Sequence, residues 1–290
     1  MLTNLEIVNY YKNNISSIKI SKIDGRSSQT IINILRKENI IIKPNKFNFN
    51  EDYFEKIDTE DKDYFLGLLM ADGNVYKNKL QIELIDLDII IKLKKFIDFS
   101  GNIHTKNYPN RSKTYSITFT SNKLVDDLSK YGIIPAKTHK TYFPDIPEEF
   151  HSHFIRGVFD GDGCIYYSLG KQPIFSIVGN TALITKIQEI LVEKCNIKKN
   201  KVIHSKTSPL NIISIAWKSS KNLIKIKNWL YKDATVYLQR KYDKFQLIKI
   251  SNFNRECIKC KRIDKVIKHL CKKCYGKEYK KYTNKLKRIK

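Results

Sequence analysis

The sequence predicts an α+β fold: tandem αββαββα units, a small helical segment before them and a short cysteine-paired tail after them. Three observations carry this. The stretches YFLGLLMADG and FIRGVFDGDG share an outline, apolar run, small residue, then Asp-Gly, and place Asp72 and Asp162 90 residues apart, the period of a duplicated domain and not of a solenoid. Each stretch is followed by strands with period-two alternation, as in LQIEL, and in Tyr115, Ile117 and Phe119 set between Thr114, Ser116, Thr118 and Thr120. Four of the six cysteines fall between Cys257 and Cys274 as two C-x-x-C pairs.

Residues 1–48 read as short helices, LEIVNYYKNN, SIKISKI and, after an Asp24-Gly25 turn, SSQTIINILRKENI. Ser27 or Ser28 can cap the last, with Ile31, Ile34 and Leu35 on one face. The spacing suits a helix-turn-helix with Gln29, Asn33, Arg36 and Lys37 facing outward; a plain helical bundle suits it equally. The first unit, 52–147, reads as a helix (DKDYFLGLLMAD), a hairpin turning at Lys77-Asn78, a helix from Leu87 to Phe99, strands at Ile103–Lys106 and Thr114–Thr120, and a helix from Asn122 to Tyr131. A linker with Pro135, Pro144 and Pro147 leads to the second, 148–252. It repeats the order with FIRGVFDGD, CIYYS, PIFSIV, a helix from Thr181 to Cys195, KVIHSK, NIISIAW and a helix from Asn222 to Trp229.

The chain of 290 residues is 41% hydrophobic, enough for a packed core and not the composition of a disordered polymer. Its 54 Lys and Arg against 29 Asp and Glu give a formal charge of +25. A polyanionic partner, nucleic acid first, is the expectation; a solvated surface of a Lys-, Ile- and Asn-rich chain is the plainer alternative. No signal segment opens the sequence and no apolar run approaches the ~18 residues of a membrane span. A soluble, intracellular, monomeric protein without a membrane partner is expected. Cys164 and Cys195 lie far apart, unlike a secreted disulfide framework.

Gly67 and Ala71, like Gly157 and Gly161, are four residues apart on one helix face. Small residues there let the two repeated helices approach more closely than the usual ~8–10 Å. Gly73 and Gly163 are expected to close those helices in the left-handed conformation. Asp72 and Asp162 then sit at helix C-termini, where the carbonyls disfavour an acid, and beside each other, where repulsion adds to the cost. A hard divalent cation such as Mg²⁺ resolves both, taking carboxylate, carbonyl, water and phosphate oxygens. Two acids, a metal and a basic chain point to metal-assisted phosphodiester hydrolysis. One such Asp-Gly alone would be a cap turn; two at the same point of a duplicated unit carry the functional reading.

FLGLLMADG and IRGVFDGDG resemble the two signature motifs of the LAGLIDADG homing endonucleases, in the single-chain, two-motif form. The resemblance covers roughly residues 52 to 250, including PAKTHKTYFPDIPEEF and YLQRKYDKF. It implies that Asp72 and Asp162 are catalytic and hold the metal. It also implies a saddle of antiparallel sheets in the major groove of a long, weakly symmetric double-stranded DNA site, intron homing, and cleavage across the minor groove leaving short 3′ overhangs. Basic residues that polarise water or steady the phosphate are expected too. By their position after the last helix of each round these are Lys137 and Lys241, with Arg240 a near rival. Met70 and Asp160 occupy the same motif position, so Asp160 reads as structural; Arg156 stands where a small residue is common.

With the apolar alternation facing the covering helices, the DNA contacts are expected from Tyr76, Asn78, Gln81, Glu83, His104, Lys106, Ser116, Thr118, Tyr166, Ser168, His204, Lys206 and Ser214, together with Arg240. In the tail, 256–290, Cys257, Cys260, Cys271 and Cys274 can give four thiolates to a structural Zn²⁺, although ten residues between the pairs is short for a ribbon. His269 is a substitute ligand, and the lysines around it suit a phosphate-binding arm. A non-cleaving DNA-binding regulator and an RNA maturase remain alternatives on the same scaffold. The retained acid pair argues against the regulator. An intein is not expected from a chain opening on Met1 and ending Arg288-Ile289-Lys290.

Overall fold

The computed structural model describes residues 1–13, 15–42, 47–137, 140–167, 172–204 and 211–248, and within the tail 254–256, 259–260, 263–267, 270–271, 274 and 277. Two compact units divide the chain, Met1–Asn48 and Phe49–Lys290.

The first unit holds three helices, α1 (Asn4–Lys12), α2 (Ser17–Asp24) and α3 (Ser28–Lys37). Each opens on a hydroxyl cap. Thr3 and Glu6 form a reciprocal capping box on α1, Ser16 caps α2, and Ser27, not Ser28, caps α3. Gly25 closes α2 at φ 88°, where a side chain would be strained. Ile7, Ile20, Ile31 and Leu35 form a small apolar core, with Ile34 packed at its edge. Asp24 is buried beside it, accepting from Leu2 N at 2.6 Å and Arg26 Nη2 at 2.9 Å. The Arg26 guanidinium holds its carboxyl far below the usual range. Gln29, Asn33, Arg36 and Lys37 all lie exposed along α3.

The second unit is α+β. Its elements are α4 (Glu60–Asp72), β1 (Asn74–Tyr76), β2 (Lys79–Leu84), α5 (Leu87–Phe96), β3 (His104–Tyr108), β4 (Arg111–Thr120) and α6 (Asn122–Lys130). After a 3₁₀ turn at Glu148–Phe150 come α7 (His151–Asp162), β5 (Gly163–Tyr167), β6 (Pro173–Asn180), α8 (Thr181–Cys195), β7 (Ile203–His204), β8 (Ile212–Trp217) and α9 (Ser220–Leu230), then α10 (Gln239–Gln246). Two four-stranded antiparallel sheets result, ordered β1-β2-β4-β3 and β5-β6-β8-β7. The identical topology of the two halves is the predicted duplication. In the tail, β9 (Asn254–Glu256), β10 (Ile263–Ile267) and β11 (Leu270–Cys271) form a small antiparallel sheet.

Each large sheet buries one face. Val75, Leu80, Ile82, Ile117 and Phe119 line the covered face of the first, and Ile165, Phe175, Ile177, Ile213, Ile215 and Trp217 that of the second. Lys77 adopts φ 53° in the two-residue β1–β2 hairpin. Three local expectations need correction. Helix α5 stops at Phe96 and not Phe99, because Asp98 turns to φ 53°. The charge-rich stretch from Gln239 forms a tenth helix that apolar periodicity had not marked. Gly73 and Gly163 are extended, at φ −69° and −99°, and not left-handed. Their need for glycine is steric: a Cβ at either would lie 2.5 Å from the carbonyl oxygen of Leu69 or Phe159.

Helices α4 and α7 meet through their small residues. A Cβ on Gly67 would strike the carbonyl of Phe154, and one on Gly157 would strike the carbonyl of Tyr64 and lie 2.7 Å from Leu68 N. Backbone meets backbone here, so neither side can yield by a rotamer change. Gly157→Ala is therefore expected to lower stability by about 1–3 kcal/mol, read as a shift of the urea midpoint at unchanged m-value.

Candidate functional site

The helix pair brings both acids of the repeated motif to its C-terminal end. Asp72 follows Ala71 and Asp162 follows Gly161, and a Cβ on Gly161 would stand 3.0 Å from Asp72 Oδ2. Both side chains reach solvent. The surrounding protein still penalises their charge: partial desolvation raises Asp72, and desolvation together with the Asp72 charge pushes Asp162 up to about 6. Lys137 and Lys241 act in the opposite sense on both acids. An acid whose neighbour raises its pKa, at a helix end whose carbonyls repel it, is one that a nearby positive charge stabilises.

The two expected lysines occupy equivalent places with unequal freedom. Lys241, on α10, is buried and donates to three carbonyls, Phe159 O and Asp160 O at 2.6 Å and Gly163 O at 2.7 Å. Its three protons are thereby all spent on the last carbonyls of α7 and the first of β5. Desolvation lowers it to about 8. Lys137 is half-buried, donates to Gly73 O, and has its pKa lowered by desolvation against the pull of Asp162 and Asp72. Arg240 is not a neighbour of equal standing. Its guanidinium grips Asp86 at 2.9–3.1 Å, a bidentate pair that ties α10 to the loop before α5. Asp86 carries no motif that marks it in the sequence.

Asp160 is structural, as its mismatch with Met70 implied. It is buried and accepts from Tyr64 Oη and Leu238 N, both at 2.8 Å, while burial pushes its carboxyl up to about 6. Arg156 explains its own departure from the motif. It is fully buried, donating from Nε to Val236 O at 2.9 Å, from Nη1 to Leu230 O at 2.7 Å and from Nη2 to Glu60 Oε1 at 2.8 Å. Its guanidinium carbon stands 5.3 Å from the centre of the Tyr64 ring. Neither Glu60 nor Asp63 was anticipated. Asp63, in the first turn of α4, accepts from Phe154 N at 2.8 Å, which ties the start of α4 to the first turn of α7.

Burial pushes the Asp63 carboxyl up to about 8. Unfolded, it titrates near ~3.9, so between those values the folded chain holds a proton the unfolded chain has lost. Stability contributed by the neutral form is therefore lost as pH rises through about 8. Asp63→Asn, which keeps an acceptor for Phe154, should flatten the fall in urea midpoint between pH 5 and pH 8.

Strand register places the expected DNA contacts. Tyr76, Gln81, Glu83, Ser116, Thr118, His104 and Lys106 share the open face of the first sheet, and Asn78 lies in its hairpin turn. Ser116 shares that face but is buried. Glu83 accepts from Lys106 Nζ at 2.6 Å and Thr114 Oγ1 at 2.7 Å, and Lys106 holds its carboxyl below the usual range. Tyr166 and Ser214 lie on the open face of the second sheet. His204 does not: it pairs with Ile213, on the covered face, and Ile203 takes the position beside Ser214. The strand is offset by one residue from the expected alternation, which inverts every side chain. Ser168, Lys206, Cys257 and His269 lie outside the described residues.

In the tail, Cys260 is exposed between β9 and β10, Cys274 is buried just beyond β11, and Cys271 is placed by its backbone opposite Val266. Among the described residues no three His, Cys, Asp or Glu side chains cluster as a metal site, and no helix is long and apolar enough to cross a membrane.

No family model matches the chain. It is 25% identical over 193 residues to DNA-directed RNA polymerase subunit Rpo1C of Methanocaldococcus jannaschii, a match covering 65% of this chain and 19% of that protein. The chain thus spans about a fifth of the length of the curated relative it matches. Solved structures similar to it include the I-LtrWI LAGLIDADG homing endonuclease bound to target DNA, with TM-score 0.45, 15% identity, and coverage of 69% of this chain and 90% of that one. The LAGLIDADG homing endonuclease I-GzeII in complex with its DNA target gives TM-score 0.45, 14% identity, and 63% and 87% coverage. WhiA from Thermatoga maritima gives TM-score 0.43, 16% identity, and 69% and 66% coverage.

Proposed function

We propose that the chain is a site-specific DNA endonuclease of the LAGLIDADG type that hydrolyses phosphodiesters in both strands of a long duplex site. One observation carries the reading: two equivalent acids meet at the C-termini of two helices locked together by glycine contacts, and each acid is followed at once by the first strand of a sheet. Asp72 and Asp162 would hold Mg²⁺, since two carboxylates with open faces to solvent suit an ion that completes its shell with water and substrate phosphate. When bound, such an ion makes a hydroxide nucleophile accessible at neutral pH and stabilises the departing oxygen. The chain's own residues do the rest. The sheets place the duplex, the α4–α7 contact sets the spacing of the acids, Lys241 holds the end of α7, and Lys137 supplies the cation near the phosphate.

The unequal lysines give an expected result. Lys137→Met should slow single-turnover cleavage about 100–1,000-fold with a smaller fall in melting temperature than Lys241→Met, because only Gly73 O loses its donor. Lys241→Met should lower both rate and melting temperature, because three carbonyls lose their donor. Equal effects on stability would contradict the division of roles.

Cys257, Cys260, Cys271 and Cys274 are proposed to bind one structural Zn²⁺, and α2 and α3 to act as a helix-turn-helix; both would lengthen the DNA footprint. Cys260→Ser should lower the zinc content of the purified chain. The function itself is tested by incubating the chain with plasmids bearing a randomised insert, in Mg²⁺ or in EDTA. A selected subset should be linearised in Mg²⁺ alone. Selected plasmids that are bound but stay intact in Mg²⁺ would contradict it.

A further inference from the structure

The two sheets can be aligned position by position from their registers, and their open faces differ in chemistry. The second residue after each acid begins a row, Asn74–Gln81–Thr118 in the first sheet and Cys164–Ser176–Ala216 in the second. One step along, Glu83–Ser116–His104 corresponds to Val178–Ser214–Ile203. One step the other way, Tyr76–Lys79 corresponds to Tyr166–Ile174. Wherever the first sheet offers a charge, an amide or an imidazole in these rows, the second offers an aliphatic chain, a thiol or a small residue.

The exchange leaves apolar groups in water. Val178 is 43% exposed and Ile203 60%, on the face opposite the sheet's own core, whereas Ile174 in the neighbouring row is buried. Val178 and Ile203 flank Ser214 on either side, so the strip across β6, β8 and β7 is apolar at both ends. Among the described residues of these rows none on the second sheet carries a charge. Such a strip costs free energy unless a partner covers it. In a chain of charge +25, beside the acid pair, duplex DNA is the partner the charge favours. The major groove displays one apolar group, the C5-methyl of thymine.

We propose that Val178 and Ile203 read thymine methyl groups, so that one half of the DNA site is recognised by apolar contact and the other by hydrogen bonds from the first sheet. This rests on the DNA-binding reading above. The whole chain would be used to select duplexes from a randomised library, and thymine in the selected sequence replaced by deoxyuridine in one half at a time. Each contacted methyl lost should weaken binding about fourfold, in one half only. Val178→Ser with Ile203→Ser should abolish that discrimination between thymine and uracil, with an unchanged urea midpoint as the control on folding. A selected duplex bound equally well with uracil in either half overturns this inference alone. A discrimination that persists in the double variant overturns it too. If no duplex is enriched, the DNA-binding reading fails and this inference falls with it.

Discussion

Asp72→Asn and Asp162→Asn should each lower Mg²⁺-dependent cleavage of a selected duplex by at least about a thousandfold, with affinity for that duplex measured in Ca²⁺ changed by less than about threefold. Asparagine keeps the shape of the side chain but not the charge that compensates a cation at a helix C-terminus, where the carbonyl dipoles add to the demand for one. The loss belongs to the chemical step, because the sheets and their contacts are untouched. The Asp72 charge also acts on Asp162. Part of the upward push on Asp162 comes from the Asp72 charge, so Asp72→Asn should bring Asp162 down from about 6, a change that carboxyl NMR reads without any DNA present. An unchanged Asp162 titration would mean that the acids do not sense one another.

Arg156→Ala should destabilise the second unit by about 3–5 kcal/mol. The guanidinium is fully buried against Tyr64 and supplies the donors for Val236 O, Leu230 O and Glu60 Oε1. Its removal strands the two carbonyls and takes the guanidinium charge away from the Glu60 carboxylate. Glu60 also accepts from Thr235 N at 2.7 Å, so the network joins the start of α4, the middle of α7 and the segment leading to α10. The loss should therefore appear as a lower urea midpoint of the whole unit. Arg156→Lys should recover only part of it, since one ammonium cannot reproduce the planar fork. Full stability in Arg156→Ala would contradict the network's role.

Much of this was legible because it depends on spacing. The small-x-x-x-small faces located the helix contact, the Asp-Gly pairs located the acids, and strict alternation in LQIEL and in Thr114–Thr120 set the first sheet's faces. What was not legible depends on contacts between distant residues. Asp63, Glu60 and Asp86 carry no pattern of their own; their partners, Phe154, Arg156 and Arg240, lie 91, 96 and 154 residues away. The tenth helix is stabilised by Lys241 reaching α7 and by Phe245 in the core, not by a long apolar stripe. His204 was misplaced because a two-residue strand has too few residues for alternation to fix its register. The glycines after the acids answer a steric need that spacing does not reveal: the backbone there is extended, and it is the preceding turn of helix that leaves no room for a side chain.

Mapping both cut ends of a linearised target tests the central claim most directly. Two adjacent carboxylates serving two strands should reach phosphates that face each other across the minor groove, about 6 Å wide. One cut per strand, offset to leave short 3′ overhangs, both requiring Mg²⁺ and both lost in Asp72→Asn and in Asp162→Asn, is the predicted result. Cutting that persists in either variant, or cuts scattered along the duplex without a fixed offset, would contradict it.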